Sequence, residues 1–348
     1  MRSFGTVVVS VAVLALPPIA QAKTWNVPSE CPTIQAGIDS ATYGDTVVVA
    51  CGMYYEHDLV MKSGICLQSE TGEADCVMID AQQLGRVMLC SGVTGAARIT
   101  GLTFAGGQAS GGPEPNNCGG GMFLDWESSP TIENCMFTGN SAFGGAGMLV
   151  SSATPTLINC VFSDNSASGD GGGVYCANSS PILANCTFVT NSATDDGGGL
   201  YCANAAPTVT NCTLSDNSAG DGGAGIHSVG GASPSVANTI IAFSSQGTSV
   251  MCDLSSSVLL TCCDVYANAG GDWVGCIGSQ YGLNGNFDRD PLFCGDANPG
   301  CPFTIRSDSP CAPGYNPDCG LIGAWPVGCE PPMATEQLTW SSVKALYR

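Results

Sequence analysis

Basic residues are nearly missing from this chain. Its 348 residues hold nine Lys+Arg against 29 Asp+Glu, with two His and a formal charge of −20. Between Ile99 and Asp288 there is neither Lys nor Arg. Recognition of a phosphate backbone needs a cationic surface, so nucleic acid is excluded as a partner. An anionic lipid surface is disfavoured for the same reason. Long apolar runs are absent too, and no segment after the N-terminus has the length of a transmembrane helix. Charged residues make up only 11% of the chain, yet 44% is hydrophobic, enough for a packed core, which excludes a disordered chain.

The N-terminus has the layout of a cleavable secretory signal. Met1-Arg2 is a short positive region, Val7 to Leu16 is mostly apolar, and Ala20-Gln21-Ala22 is a small-x-small site before Lys23. The expectation is a signal peptide over 1–22 and a mature chain that is secreted, or held at a bacterial surface or in the periplasm. A monomer is expected.

A repeat carries most of the remaining information. Pro130-Thr131-Ile132-Glu133-Asn134-Cys135 is echoed at Pro155–Cys160, Pro181–Cys186 and Pro207–Cys212, and with Thr for Cys at Pro234–Thr239. Gly121, Gly147, Gly173, Gly199 and Gly225 recur every 26 residues. Asn140, Asn165, Asn191 and Asn217 each open an Asn-Ser-Ala triplet. Each repeat has short β-type pieces separated by turn residues and no helical period. Three short strands per repeat would make one coil, and stacked coils would pair at about 4.8 Å. One coil cannot bury its inner face alone, so its neighbours complete the core. The column Asn134, Asn159, Asn185, Asn211 and Asn238 suits a sharp turn, because Asn tolerates the left-handed backbone and its amide can bond along a stack. The glycosylation-like sequences Asn185-Cys186-Thr187 and Asn211-Cys212-Thr213 are read as by-products of this column.

The pattern Gly171-Gly172-Gly173-Val174-Tyr175…Asn185-Cys186-Thr187-Phe188…Asn191-Ser192-Ala193 resembles right-handed parallel β-helix proteins of the pectin-lyase-like superfamily. Its repeats are also similar to those of polymorphic outer-membrane proteins. The resemblance implies an all-β, single right-handed parallel β-helix over 23–326. Regular coils would run over about 99–247, cysteine-rich closing coils over 248–326, and a separate tail over 327–348. Upstream, Ile34, Ile38 and Ala41 share a helical face, suiting a short N-terminal helix that caps the first coil. Such folds host enzymes and non-enzymes alike, so function must be read from sites.

The 21 cysteines fall into two groups. Cys135, Cys160, Cys186 and Cys212 form one column and Cys176 with Cys202 another; both are expected as reduced, buried stacks. The irregular ends suit disulfide staples, with Cys31–Cys51 the pairing expected first. Zinc is a weaker reading, with two His and no paired Cys-x-x-Cys.

Candidate chemistry is sparse. A polysaccharide lyase of this fold needs a basic group and a cationic clamp, and the central coils contain neither Lys nor Arg. Asp195-Asp196 matches the Asp-Asp of polygalacturonases, but the accompanying Gly-His-Gly and Arg-x-Lys are absent; a solvated turn is the plainer reading. Asp170 and Asp196 are equivalent by repeat position, as are Asp195 and Asp221, and four carboxylates on one edge would suit Ca²⁺, the only cofactor the pattern offers. Asn284-x-Asn286-x-Asp288-x-Asp290 is a second oxygen-rich stretch. Phe123, Leu149, Tyr175, Tyr201 and His227 follow the Gly column by two residues and alternate with inward positions. Such a row either stacks on sugar rings or stacks on itself along the sheet. The resulting functional reading is an exported, non-catalytic binding or structural module for a polysaccharide or cell-surface partner. The alternative is a carbohydrate-active hydrolase or lyase using the acidic residues.

Overall fold

The computed structural model describes residues 21–330 apart from 95 and 296–302. Nearly all of the expected signal segment, and the tail from 331 onward, lie outside the described residues. The chain winds as a right-handed parallel β-helix. Sheet 1 stacks ten strands from Thr24–Val27 to Leu259–Thr261, and sheet 2 stacks nine from Gly52–Tyr54 to Asp264–Tyr266. Sheet 3 has five strands from Gln108–Ala109 to Ser218–Ala219, and sheet 4 has eight from Leu59–Val60 to Val250–Cys252. A central coil visits them in the order 4, 1, 2, 3, as in Val174–Ala177, Ile182–Ala184, Thr187–Val189 and Ser192–Ala193. Three strands per coil were expected; the Ser-Ala of each triplet supplies a fourth, two-residue one.

Identical residues stack because the register is in phase with the repeat: Tyr175 pairs with Tyr201, and Cys176 with Cys202. Inside, Phe104, Phe137, Phe162 and Phe188 form a ring stack with centroids 4.8–4.9 Å apart. Cys135, Cys160, Cys186 and Cys212 line another interior column and Cys176 and Cys202 a third, all as buried free thiols. Burial pushes the Cys160 and Cys186 thiols well above their ordinary range, which suits their role as small hydrophobes. The Gly column is steric in origin. A Cβ on Gly173 would lie 2.5 Å from the Gly199 carbonyl oxygen, so coil-to-coil pairing leaves no room for a side chain there.

Two asparagine columns turn the coils, by different means. Asn134, Asn159, Asn185, Asn211 and Asn238 all sit at φ between 48° and 53°, the left-handed conformation their turn requires. Asn159 Nδ2 donates to Asn134 Oδ1 at 3.1 Å, so part of this column is an amide ladder. The more continuous ladder is the buried one at Asn140, Asn165, Asn191 and Asn217. Asn165 Nδ2 donates to Asn191 Oδ1 at 2.9 Å and to the Phe137 carbonyl at 2.9 Å. Asn191 repeats this toward Asn217 Oδ1 (3.0 Å) and the Phe162 carbonyl (2.9 Å). Each Oδ1 also accepts a backbone N–H, as Asn217 does from Asn191 at 3.0 Å, so the buried amides are satisfied.

Helix α1 (Ile34–Ser40) covers the first coil, with Ile34, Ile38 and Ala41 fully buried. Thr33 caps it by accepting from Ala36 N at 3.1 Å, and Glu56 accepts from Ile34 N at 2.7 Å. The expected Cys31–Cys51 bridge is not formed. Cys31 is a buried free thiol, while Cys51 bonds Cys76, one coil along, with Cα atoms 4.6 Å apart. Both cysteines precede sheet 2 strands at a corner, where the backbone leaves the strand and facing Cβ atoms can converge. Three further disulfides, Cys252–Cys276, Cys262–Cys319 and Cys294–Cys329, staple the closing region. Pairing continues past residue 326, since Val327–Cys329 lies along Ile305–Arg306.

After residue 318 the chain doubles back over the outside of the solenoid. Asn238 Nδ2 donates to the Cys319 carbonyl at 2.6 Å and Asn211 Nδ2 to the Leu321 carbonyl at 3.1 Å. Ala324 N donates to Thr213 Oγ1 at 3.0 Å, and Trp325 Nε1 to Thr187 Oγ1 at 2.8 Å. This strap runs along the corner between sheets 1 and 2.

Candidate functional site

Three outer features of the solenoid bear on function. The first is the face of sheet 4, where the sequence placed an aromatic row. The row exists, but it is not a free surface. Phe123, Leu149, Tyr201 and His227 are buried and Tyr175 is half-buried. The residues stack on one another, Tyr175 edge-on to Tyr201 at 4.8 Å and Tyr201 tilted to His227 at 5.5 Å. Alternation correctly points them away from the interior, but glycine-rich turns fold over them. A Cβ on Gly144 would lie 2.9 Å from the Tyr175 ring, and one on Gly119 would lie 3.0 Å from Phe123 Cβ. Cys118 packs beside Phe123 and Leu149, in a segment held by Arg86, whose guanidinium donates to the Gly119 and Cys118 carbonyls at 2.8 and 2.7 Å. The row is a second, smaller core rather than a sugar-stacking platform.

The acidic edge lies beside this row. Asp170 accepts from Asp196 N at 3.2 Å. Burial, followed by the neighbouring Asp196 charge, pushes the Asp170 carboxyl up to about 6. Burial raises Asp196 as well, opposed by His227. His227 Nδ1 lies 2.9 Å from Asp196 Oδ1, yet neither atom has a hydrogen bond of good alignment. Asp195 and Asp221 remain exposed. No three of the four carboxylates bring their oxygens within 4.8 Å of one another, so the expected Ca²⁺ cage is not assembled. Among the described residues only Cys51, Glu70 and Cys76 cluster that closely, and both cysteines are in a disulfide. The second oxygen-rich stretch is also dispersed. Asn286 is committed to Cys263 N and the Leu260 carbonyl, while Asp288 accepts from the Tyr281 hydroxyl.

The second feature is a groove of about 670 Å³ along the corner between sheets 1 and 2. Asn134, Asn159 and Asn185 line it, with Met136 and Val161 beside them. The strap closes one end with Trp325, and Glu73 and Asp75 bound the groove elsewhere. The asparagine column therefore forms a wall of this groove as well as a turn.

The third feature lies on the corner between sheets 4 and 1. One groove of about 480 Å³ runs past Ser152, Asn178 and Asn204 to Ser233, and a second of about 380 Å³ surrounds Trp126. The two share Glu127 and Ser152 and so form one channel. Sequence reasoning missed both corner grooves. The signal for this one was a column of turn residues, Ser152, Asn178 and Asn204, spaced by 26.

Residues 57–241 match the family model for the right-handed beta helix region, more than half of the chain, and the protein belongs to that family. No curated protein matches the chain at a significant level.

Proposed function

We propose that the protein is an exported, non-catalytic β-helix that binds glycans along its corners. The observation that carries this reading is the chemistry of the two corner grooves. Both are open and offer amides or hydroxyls beside a few carboxylates, and a tryptophan stands in each. Amides and hydroxyls donate and accept together, as a polyol does, and an aromatic face takes the C–H side of a sugar ring. Export is supported by the four disulfides, which persist in an oxidising compartment.

Glycan-array binding of the folded protein is the test, and failure to bind any glycan would defeat the proposal. A second reading, a carbohydrate-active enzyme, draws on one observation: Asp170, pushed up to about 6, stands beside the Asp196–His227 contact. Raised carboxyls are what a general acid needs. Release of reducing ends from a polysaccharide panel, lost in Asp196→Asn, would establish that reading and displace the first.

A further inference from the structure

We infer that the channel between sheets 4 and 1 holds a linear, uncharged polysaccharide parallel to the solenoid axis, one sugar unit per coil, with its end stacked on Trp126. The inference rests on the glycan-binding reading and adds where the chain lies, its charge class and its direction.

The channel is built as a repeating rail. Glu127, Ser152, Asn178, Asn204 and Gly231 succeed one another on adjacent coils, all with left-handed φ between 47° and 85° and all exposed. A second exposed rail, Thr154, Ser180, Ala206 and Ser233, lies across from it and carries a hydroxyl on three of the four coils. Asn204 Nδ2 donates to Asn178 Oδ1 at 2.6 Å, which orients the two amides along the axis. Between the rails runs a buried floor of Ala153, Ser179 and Ala205.

Two polar atoms along this channel receive no hydrogen bond from the protein. Ser179 is 4% exposed, and its Oγ meets no hydrogen-bonding group, where the coils on either side have alanine. Asp125 Oδ1 is likewise buried and accepts no hydrogen bond, in the cavity that surrounds Trp126, with the Arg86 charge nearby. A buried polar atom without a partner is costly and calls for a group to meet it. Trp126 itself is 76% exposed, an unusual setting for the largest apolar side chain. It stands between Asp125 and Glu127, whose carboxylates can accept from sugar hydroxyls.

Period and charge decide the ligand class. The rails repeat at the coil rise of ~4.8 Å, so five coils span ~19 Å. An extended peptide advances ~3.3 Å per residue and drifts out of phase with the rails at once. A pyranose chain advances by close to one coil rise per unit and keeps step. Asp125 and Glu127 lie on the channel, Arg86 beside it is committed to the Gly119 and Cys118 carbonyls, and there is no Lys or Arg from Ile99 to Asp288, so uronates and sulfated chains are repelled.

The test is affinity for a length series of neutral oligosaccharides and for an oligogalacturonate, comparing wild type with Trp126→Ala, Trp126→Phe, Asn178→Ala and Trp325→Ala. Circular dichroism checks that each variant keeps the β-helix fold. The expected result is affinity that rises with length to about five units, one for each coil of the rail. Trp126→Ala should cost about tenfold or more, as for one stacked ring, with Trp126→Phe closer to wild type. Asn178→Ala should weaken binding, and Trp325→Ala should cost less than Trp126→Ala. Binding lost in Trp325→Ala but kept in Trp126→Ala overturns this inference while leaving the glycan-binding reading intact. A preference for the oligogalacturonate overturns the charge assignment, and wild type that binds no glycan overturns both.

Discussion

Asp264 offers the sharpest test of how this solenoid is closed. It sits on the last strand of sheet 2 with no exposed surface, accepting from Arg289 N at 3.0 Å and from the Cys311 thiol at 3.2 Å. Burial is the largest influence on its carboxyl and pushes it up to about 7. A carboxyl raised in the fold keeps its proton while the unfolded chain ionises near 3.9. The folded state therefore binds more protons across that window, and stability falls as pH rises from about 4 to 7. At 1.36 kcal/mol per pH unit the loss approaches about 4 kcal/mol, complete above pH ~7. The perturbation is Asp264→Asn, which keeps an acceptor for Arg289 N and removes the titration. Stacked coils need not unfold as one unit, so the readout is amide exchange of residues 284–295 and 303–312, corrected for intrinsic rate. Wild type should open about tenfold more readily per pH unit between 4 and 7 and then level off, whereas the variant should stay flat. Parallel profiles for the two proteins would refute the reasoning.

Gly173→Ala should destabilise by about 1–3 kcal/mol, as overpacking does, because its Cβ meets the Gly199 carbonyl; chemical denaturation of the variant measures it. Asn191→Ala strands the Phe162 carbonyl and Asn165 N, at about 1–3 kcal/mol for each buried group left unpaired, and thermal melting should show it. In the native protein the buried thiols of Cys135, Cys160, Cys186 and Cys212 should resist alkylation while denatured protein labels fully, a contrast that mass spectrometry reads directly.

The fold was legible because its rule is local: a period of 26 with Gly, Asn and Cys columns forces in-register stacking. What lies over the coils was less legible. Alternation tells which way Tyr175 and Tyr201 point from the interior, but it cannot reveal that the turns near Gly144 and Gly171 fold back across them. The expected Cys31–Cys51 pairing takes no account of the coil period. In a solenoid the near neighbour is one period away, and Cys51–Cys76 and Cys252–Cys276 are separated by 25 and 24 residues, about one coil. The acidic edge was assigned by repeat position alone, yet the pull of His227 on Asp196 depends on a ring one coil further along.

The returning segment at 319–325 changes the mechanics of the whole stack. A bare solenoid frays from its last coil, since each coil answers only to its neighbours. Here the terminal segment is pinned to Asn238, Asn211, Thr213 and Thr187, reaching back three coils from the end. Peeling the final coil away under load therefore means tearing the segment from all of those anchors together. The rod resists unzipping from its C-terminal side as a block of several coils, and Cys262–Cys319 makes that block covalent.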